Sequence, residues 1–159
     1  MCGMFLPTDG PMSYMKWTSD LELGIEVIDN QHRRIVEYIN DLHQAIDNQS
    51  RAEVGEVLEQ LVEYTMSHFA FEEDLQERAG YPFHHAHKKV HELFNRKIED
   101  FQYRFDLGED VSRHLLTMLR AWLINHIKRD DADYAETVKI ALATPQKQRG
   151  KGLFARLFG

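Results

Sequence analysis

Four of the nine histidines in this 159-residue chain fall within the eight residues HHAHKKVH, at positions 84–91. An α-helix turns by about 100° per residue, so side chains four residues apart point in nearly the same direction and can bind one ion. His87 and His91 have this spacing and are a candidate pair of metal ligands. His84 shares their face through i, i+3, i+7 spacing, so the segment by itself leaves open which of the three bind.

Three further histidines lie beside apolar residues. His68 and Glu72, in the stretch HFAFEE, are also four residues apart. His126 follows the residues WLIN, and His32 precedes RRIV. Taken singly, each has an ordinary explanation: a solvated or core-edge pair for His68 and Glu72, a core histidine for His126, and a surface or capping residue for His32.

The apolar periodicity is helical nearly throughout and predicts four long helices. Ser50 is a suitable N-cap for the second helix, and Gly80 and Gly108 follow the second and third helices as C-terminal glycines do. Short connections favour antiparallel neighbours, so the predicted fold is all-α, an up-down-up-down four-helix bundle with an N-terminal arm and a short C-terminal helix. The predicted helices cover about 29–47, 50–79, 83–107 and the residues from about 110, with the short piece near 134–142. The arm, residues 1–28, has apolar side chains to pin it across the bundle, namely Trp17, Leu21, Leu23, Ile25 and Ile28.

The bundle strengthens the case that these histidines bind metal, because each of its four helices then contributes at least one imidazole near an apolar face. A buried polar group without a partner costs about 1–3 kcal/mol. Four such groups on neighbouring helices, with carboxylates beside two of them, are difficult to explain by surface composition. The arrangement favours a metal site in the interior.

Composition and charge restrict the setting. No apolar run approaches the roughly 20 residues that span a bilayer, and the N-terminus does not resemble a signal peptide. The single cysteine, Cys2, fits a reducing compartment, so we expect the protein in the cytoplasm. The net charge of −7 includes four basic residues and no acid in residues 145–159, so residues 1–144 carry −11. Such an acidic domain is a poor binder of nucleic acid.

The sequence predicts three parts: an N-terminal extension (1–15), the bundle (16–144) and a basic amphipathic C-terminal tail (145–159). The tail ends in GLFARLFG, whose Leu153, Phe154, Leu157 and Phe158 can form a short apolar face. This face is suited to a membrane surface or a protein partner, and the alternative is a tail that is disordered or packs on the bundle. We expect a monomer.

Four stretches together resemble the signature of the hemerythrins, most closely the single-domain bacterial hemerythrins: WTSDLELGIEVIDNQHRRIVEYIN, HFAFEE, the YP turn followed by HKKVH, and WLINHIKRDDADY. The resemblance covers about residues 16–142. It implies an oxo- or hydroxo-bridged centre of two iron ions that binds dioxygen reversibly, for storage, delivery to an oxygen-using enzyme, or sensing. Its implied metal ligands are His32 and His68 on one iron, His87, His91 and His126 on the other, and Glu72 and Asp131 bridging both.

The resemblance also selects Glu72 over Glu73 and Asp131 over Asp130, and it places Trp122 beside the iron site. Tyr134 is placed there in the same way. The histidines that it leaves outside the ligand set, with surface roles expected, are His43, His84, His85 and His114.

The spacing of His126 and Asp131 conflicts with a regular helix. Five residues of ideal helix turn about 500°, which leaves the two side chains about 140° apart. The sequence therefore predicts that the helix ends or distorts between them. Arg129 lies close to the ligand face, and we expect it to point outward to solvent.

Two other functions fit a metal-binding bundle. A di-iron oxidase, peroxidase or nitric-oxide-processing enzyme would turn over with a reductant, and a regulatory module would hold a structural metal such as zinc. The oxygen-activating ferritin-like proteins use Glu-x-x-His pairs, and none occurs in this sequence. The histidine-rich ligand set therefore favours reversible binding over catalysis.

Overall fold

The computed structural model of the chain describes residues 13–145, and helices dominate this range. The elements, in chain order, are a short 3-10 turn (Ser19–Leu21), α1 (Glu26–Asp47), α2 (Arg51–Ala79), α3 (His84–Asp106), α4 (Ser112–His126), a π-helical segment (Ile127–Asp131) and α5 (Ala132–Ala143). The prediction of an all-α helical bundle is confirmed: the four long helices begin within about three residues of the predicted positions, and the first three end within about one residue of them.

The helices enclose one apolar core. α1 packs against α2 and α4, and α2 packs against α3 and α5. Ring contacts join α3 to α4, including Phe94 stacked on Trp122 with centroids 3.8 Å apart. The fully buried apolar members of the core include Ile28, Ile39, Leu42, Leu61, Leu115 and Val138. The buried polar residues therefore lie among apolar side chains.

The arm that precedes α1 is fixed by packing and by one carboxylate. Leu21, Leu23 and Ile25 are buried, as the sequence predicted. Asp29, itself buried, accepts the backbone N–H groups of Leu23 at 2.8 Å and Gly24 at 3.1 Å. α1 therefore begins at Glu26, three residues before its predicted start, because Asp29 binds the loop from inside the first turn and does not cap the helix.

Both ends of α2 have the predicted caps. The Ser50 hydroxyl accepts the backbone N–H of Glu53 at 3.2 Å, and Gly80 follows the helix with φ of 74°. The left-handed conformation is easily reached by glycine, and it turns the chain back sharply. α3 consequently runs beside α2, with its histidines facing those of α2.

α4 does not end where the sequence suggested a separate fifth piece. It continues through the π-helical segment Ile127–Asp131 into α5, without an intervening loop. A π-helix closes hydrogen bonds between residues five apart, in place of four. The predicted distortion between His126 and Asp131 is confirmed, and its form is a wider helical turn.

The predicted extension (1–15) and tail (145–159) lie almost entirely outside the described residues, so the three-part division stays a prediction. Within residues 13–145 no helix is both long and apolar enough to cross a membrane.

Candidate metal centre

All seven predicted ligands meet in the interior of the bundle, and each is at most 4% exposed. Their donor atoms form two adjoining groups, within each of which the atoms lie no more than 4.8 Å apart. One group contains three histidines and the other two, and Glu72 belongs to both. The members are Glu72, His87, His91, His126 and Asp131 in the first group, and His32, His68 and Glu72 in the second.

The two oxygens of Glu72 face different groups. Oε1 lies 2.6 Å from His87 Nε2 and 3.5 Å from His91 Nε2. Oε2 lies 3.1 Å from His68 Nε2 and 3.9 Å from His32 Nε2. A carboxylate in this position can bind two metal ions through separate oxygens.

Asp131 spans the same two groups from the opposite helix. Its Oδ1 lies 3.0 Å from His126 Nε2 and 3.3 Å from His87 Nε2, while Oδ2 lies 3.2 Å from His32 Nε2. The π-helical turn makes this possible, since it places a residue five positions after His126 on the face of His126.

Three of the five histidines have their outer ring nitrogen, Nδ1, held by a polar side chain. The pairs are His68 with Gln31 Oε1 (2.7 Å), His91 with Glu73 Oε1 (2.9 Å) and His126 with Asp130 Oδ2 (2.8 Å). Such partners orient a metal-binding imidazole and place the proton on the outer nitrogen, which leaves Nε2 for the metal. The sequence reasoning missed these partners. Asp130 carried a signal, because it lies four residues after His126, whereas Gln31 reaches its histidine from another helix.

Both shared carboxylates are ionised in the protein as it stands. Burial and the charge of Asp131 raise the pKa of Glu72, but contacts with His68 and His87 outweigh them and lower it to about 2. Burial likewise raises the pKa of Asp131, and the neighbouring imidazoles of His126, His32 and His87 bring it well below its usual range. The centre therefore presents two negative charges in a region without solvent.

The histidines divide according to their contacts with these carboxylates. Burial lowers the pKa of His87, but Asp131 and Glu72 outweigh it and raise the pKa to about 10. For His91 burial is the larger effect and lowers the pKa to about 3, although the charge of Glu72 opposes it. Glu72 and Asp131 thus favour the protonated form of His87, which contacts both carboxylates.

The site retains polar atoms that protein partners do not satisfy. Five of its buried atoms have no hydrogen-bond partner: both ring nitrogens of His32, Oε2 of Glu72, and both carboxylate oxygens of Asp131. Each such atom costs about 1–3 kcal/mol unless something binds it. Imidazole nitrogens and carboxylate oxygens are suitable ligands for iron, and the carboxylates offset its charge. The residues therefore fit a pair of iron ions.

The two aromatic residues predicted beside the centre are close to its ligands. The Trp122 ring stacks on His126 at 4.3 Å and an angle of 15°. Tyr134 is fully buried, with its ring 5.4 Å from His87 and no hydrogen-bond partner for its hydroxyl. Burial, and then the charges of Glu72 and Asp131, raise the pKa of Tyr134 well above 10, so the hydroxyl keeps its proton.

A narrow cavity adjoins the two-histidine group. It has about 10 Å³ that the centre of a water-sized molecule can occupy, which is roughly the room for one such molecule. His32, His68 and His126 form its polar wall. The rest of its wall is mostly apolar, formed by Ile35, Ile39, Thr65, Phe69, Phe94, Leu119, Trp122 and Leu123.

The structure also separates the three histidines of the α3 segment that spacing left open. His87 and His91 face the centre, whereas His84 is only half-buried and its Nδ1 lies 3.0 Å from the carbonyl oxygen of Tyr81. His85 is exposed and its ring lies against that of His84. Arg129 is exposed, as expected.

The other two histidines lie away from the centre. His43 stacks on Tyr14 at 4.9 Å and lies 3.5 Å from a carboxylate oxygen of Asp47. His114 packs edge-on against Phe101 at 5.2 Å. Neither residue belongs to the two metal-binding groups among the described residues.

Comparison with known proteins agrees with this geometry. The family model for the hemerythrin HHE cation binding domain matches residues 23–138. The chain belongs to the hemerythrin family. A bacteriohemerythrin of Stenotrophomonas maltophilia is 55% identical over 131 residues, which are 82% of this chain and 86% of that protein. A bacteriohemerythrin of Pseudomonas aeruginosa is 50% identical over 141 residues, 89% of this chain and 92% of that protein.

A solved structure has the same fold. The crystal structure of a wild-type hemerythrin superposes with a TM-score of 0.75 at 31% identity, covering 79% of this chain and 98% of the other. The suggested resemblance is therefore confirmed, and the buried histidines and carboxylates are suited to the di-iron centre of this family.

Proposed function

We propose that the protein binds dioxygen reversibly at a centre of two iron ions. The observation that carries the proposal is the uneven division of the histidines around two shared carboxylates, three in one group and two in the other. A metal ion with fewer protein ligands keeps a position open for a small molecule. The narrow cavity lies beside that two-histidine group.

Each residue has a defined role in this proposal. His32 and His68 would hold one iron, His87, His91 and His126 would hold the other, and Glu72 and Asp131 would be shared between the two. When bound, a ferrous pair supplies the electrons that dioxygen takes up and returns on release. Tyr134 keeps a neutral hydroxyl beside the carboxylates, and Trp122 fixes the plane of His126 by stacking.

The cavity supports binding over catalysis. Its walls are apolar apart from the histidines and Thr65, and its room for about one water-sized molecule excludes most organic substrates. Apolar walls also keep water and protons away from the ligand. We therefore propose that the protein is not an enzyme and serves oxygen storage, delivery or sensing.

The remaining proposals rest on the sequence. We propose an extension (1–15), a bundle (16–144) and a basic tail (145–159), in a cytoplasmic monomer that does not bind nucleic acid.

The apolar and basic tail would attach the bundle to an oxygen-using enzyme or a membrane surface. Deleting residues 145–159 should abolish that attachment and leave iron content unchanged; unchanged attachment would end this proposal.

The decisive experiment is iron analysis together with an ultraviolet–visible spectrum of the anaerobically reduced protein, before air, after air, and after removal of oxygen. We expect both irons to be present and the oxygenated spectrum to appear and disappear reversibly. Glu72→Ala, which removes the carboxylate common to both groups, should lose this response. Irreversible oxidation, steady turnover with a reductant, or zinc in the site would contradict the proposal.

A further inference from the structure

The polar face of α2 extends one helical turn beyond the predicted ligands. His68, Glu72 and Gln76 follow one another at four-residue intervals, so they form a single row on the helix. All three are buried, and Gln76 has no exposed surface at all. A long amide side chain in such a position is unusual, because its polar atoms lose their water and need partners.

The hydrogen-bond partner of Gln76 is Glu72, one of the two carboxylates that reach both metal groups. Gln76 Nε2 donates to Glu72 Oε1 at 3.2 Å. The same oxygen lies 2.6 Å from His87 Nε2, so it faces the three-histidine group. Oε2, which faces the two-histidine group, has no hydrogen bond in the structure. The Gln76 amide therefore binds one of the two Glu72 oxygens, Oε1, and leaves the other without a hydrogen bond.

The other end of the Gln76 amide has no partner. Its carbonyl oxygen is buried without a hydrogen bond, which an apolar side chain of similar size would avoid. Simple space-filling thus does not account for a glutamine here. The contact of its N–H with Glu72 is the only hydrogen bond that the structure gives this side chain within residues 13–145.

We propose that Gln76 is a positioning residue of the metal centre, which holds Glu72 across the two metal ions and withdraws negative charge from the oxygen on the three-histidine side. This inference rests on the proposed function in one respect, that Glu72 bridges two irons. The hydrogen bond restrains rotation of the carboxylate, so both oxygens cannot turn toward one ion. The hydrogen bond also makes Oε1 a weaker electron-pair donor to a metal ion than Oε2.

The charge on Glu72 determines the direction in which loss of the Gln76 donor shifts the midpoint potential. Without the N–H donor, Glu72 carries more negative charge toward the metal and favours ferric over ferrous iron. Gln76→Met, which keeps the length of the side chain and removes the donor, should therefore lower the midpoint potential of the centre. Gln76→Leu also lacks a donor, so it should shift the potential in the same direction. Gln60→Met is the matched control, because Gln60 is an exposed glutamine on the same helix.

Three measurements test the proposal without relying on oxygen binding. The first is the midpoint potential of the iron-loaded proteins. The second is the affinity for cobalt(II), measured by competition with a chelator. The third is the infrared carboxylate bands, which distinguish bridging from chelating geometry. We expect Gln76→Met to lose about 10-fold to 100-fold in cobalt affinity, the usual effect of removing a group that orients a ligand.

The possible results are separable. Gln76→Met with the potential, affinity and carboxylate bands of Gln60→Met would overturn the role of Gln76. A helical Gln76→Met protein that no longer retains metal would support it, and Gln76→Leu provides the same test if the methionine variant does not fold. If the parent protein fails to oxygenate reversibly while these shifts appear, the proposed function fails and the positioning role stands.

Discussion

At the scale of single residues, the segment HHAHKKVH shows how neighbouring histidines take different roles. His87 lies 2.6 Å from Glu72 Oε1 in the interior, whereas His84 contacts a backbone carbonyl just before its own helix and the ring of His85. His87→Ala should therefore lose iron, and His84→Ala should keep both irons, as measured by metal analysis of the purified variants. Loss of iron from His84→Ala would show that the assignment of ligands on α3 is wrong.

The outer nitrogen of His126 gives a second prediction at this scale. Asp130 holds that nitrogen at 2.8 Å and is 40% exposed at its side chain. Asp130→Ala should lower metal affinity about 10-fold to 100-fold, since the imidazole loses the group that orients it. Asp133→Ala, an exposed aspartate three residues later, should leave the affinity unchanged. Competition with a chelator measures both, and equal affinities would contradict the role of Asp130.

These residues also show what the sequence could provide. Four-residue spacing indicated His68 with Glu72 and His87 with His91, and the family resemblance completed the set of seven. Gln31 and Gln76 could not be found in this way. Gln31 acts on a histidine of another helix, and Gln76 matters only because the row on α2 is buried along its whole length. Both facts depend on how the helices pack.

At the scale of elements, the π-helical segment decides whether α4 and its continuation can contribute two ligands. The sequence predicted that the helix ends or distorts after His126, since either change would remove the 140° offset between His126 and Asp131. The offset alone could not show whether the helix ends or distorts. Deleting Arg129 makes the spacing four, which suits a regular helix, so this variant should retain iron. Inserting an alanine after Arg129 makes the spacing six, and this variant should lose iron. Metal analysis and circular dichroism check both, and identical behaviour would contradict the argument.

Gly55 inside α2 and Gly80 just after it should respond to alanine in opposite directions. Gly80 has φ of 74° with no atom within 4 Å of an added Cβ, so Gly80→Ala introduces backbone strain alone and should destabilise the protein by about 1–2 kcal/mol. Gly55 lies inside the helix, where alanine is favoured by about 0.5–1 kcal/mol. Its added Cβ would lie 3.4 Å from Phe105 Cε1, at the edge of ordinary contact. Urea unfolding of the two variants should therefore give free-energy changes of opposite sign.

At the scale of the whole molecule, the bundle and the metal should stabilise each other. Seven buried ligand side chains, two of them carboxylates with lowered pKa values, occupy a layer that apolar side chains fill elsewhere in the core. The folded bundle brings these ligands together and the unfolded chain does not, so metal binding adds its free energy to folding. At a free metal concentration 100 times the dissociation constant, the gain is about 2.7 kcal/mol.

Removal of iron by a chelator should therefore lower the melting temperature, and the temperature should rise again when metal is returned. The matched comparison is His87→Ala with His84→Ala: the first should melt at the same temperature with and without added metal, and the second should respond as the parent does. If the melting temperature of the parent protein does not change with metal, the folded protein is already stable without ions. The positive charge of protonated His87 would then be enough to offset the negative charges of Glu72 and Asp131.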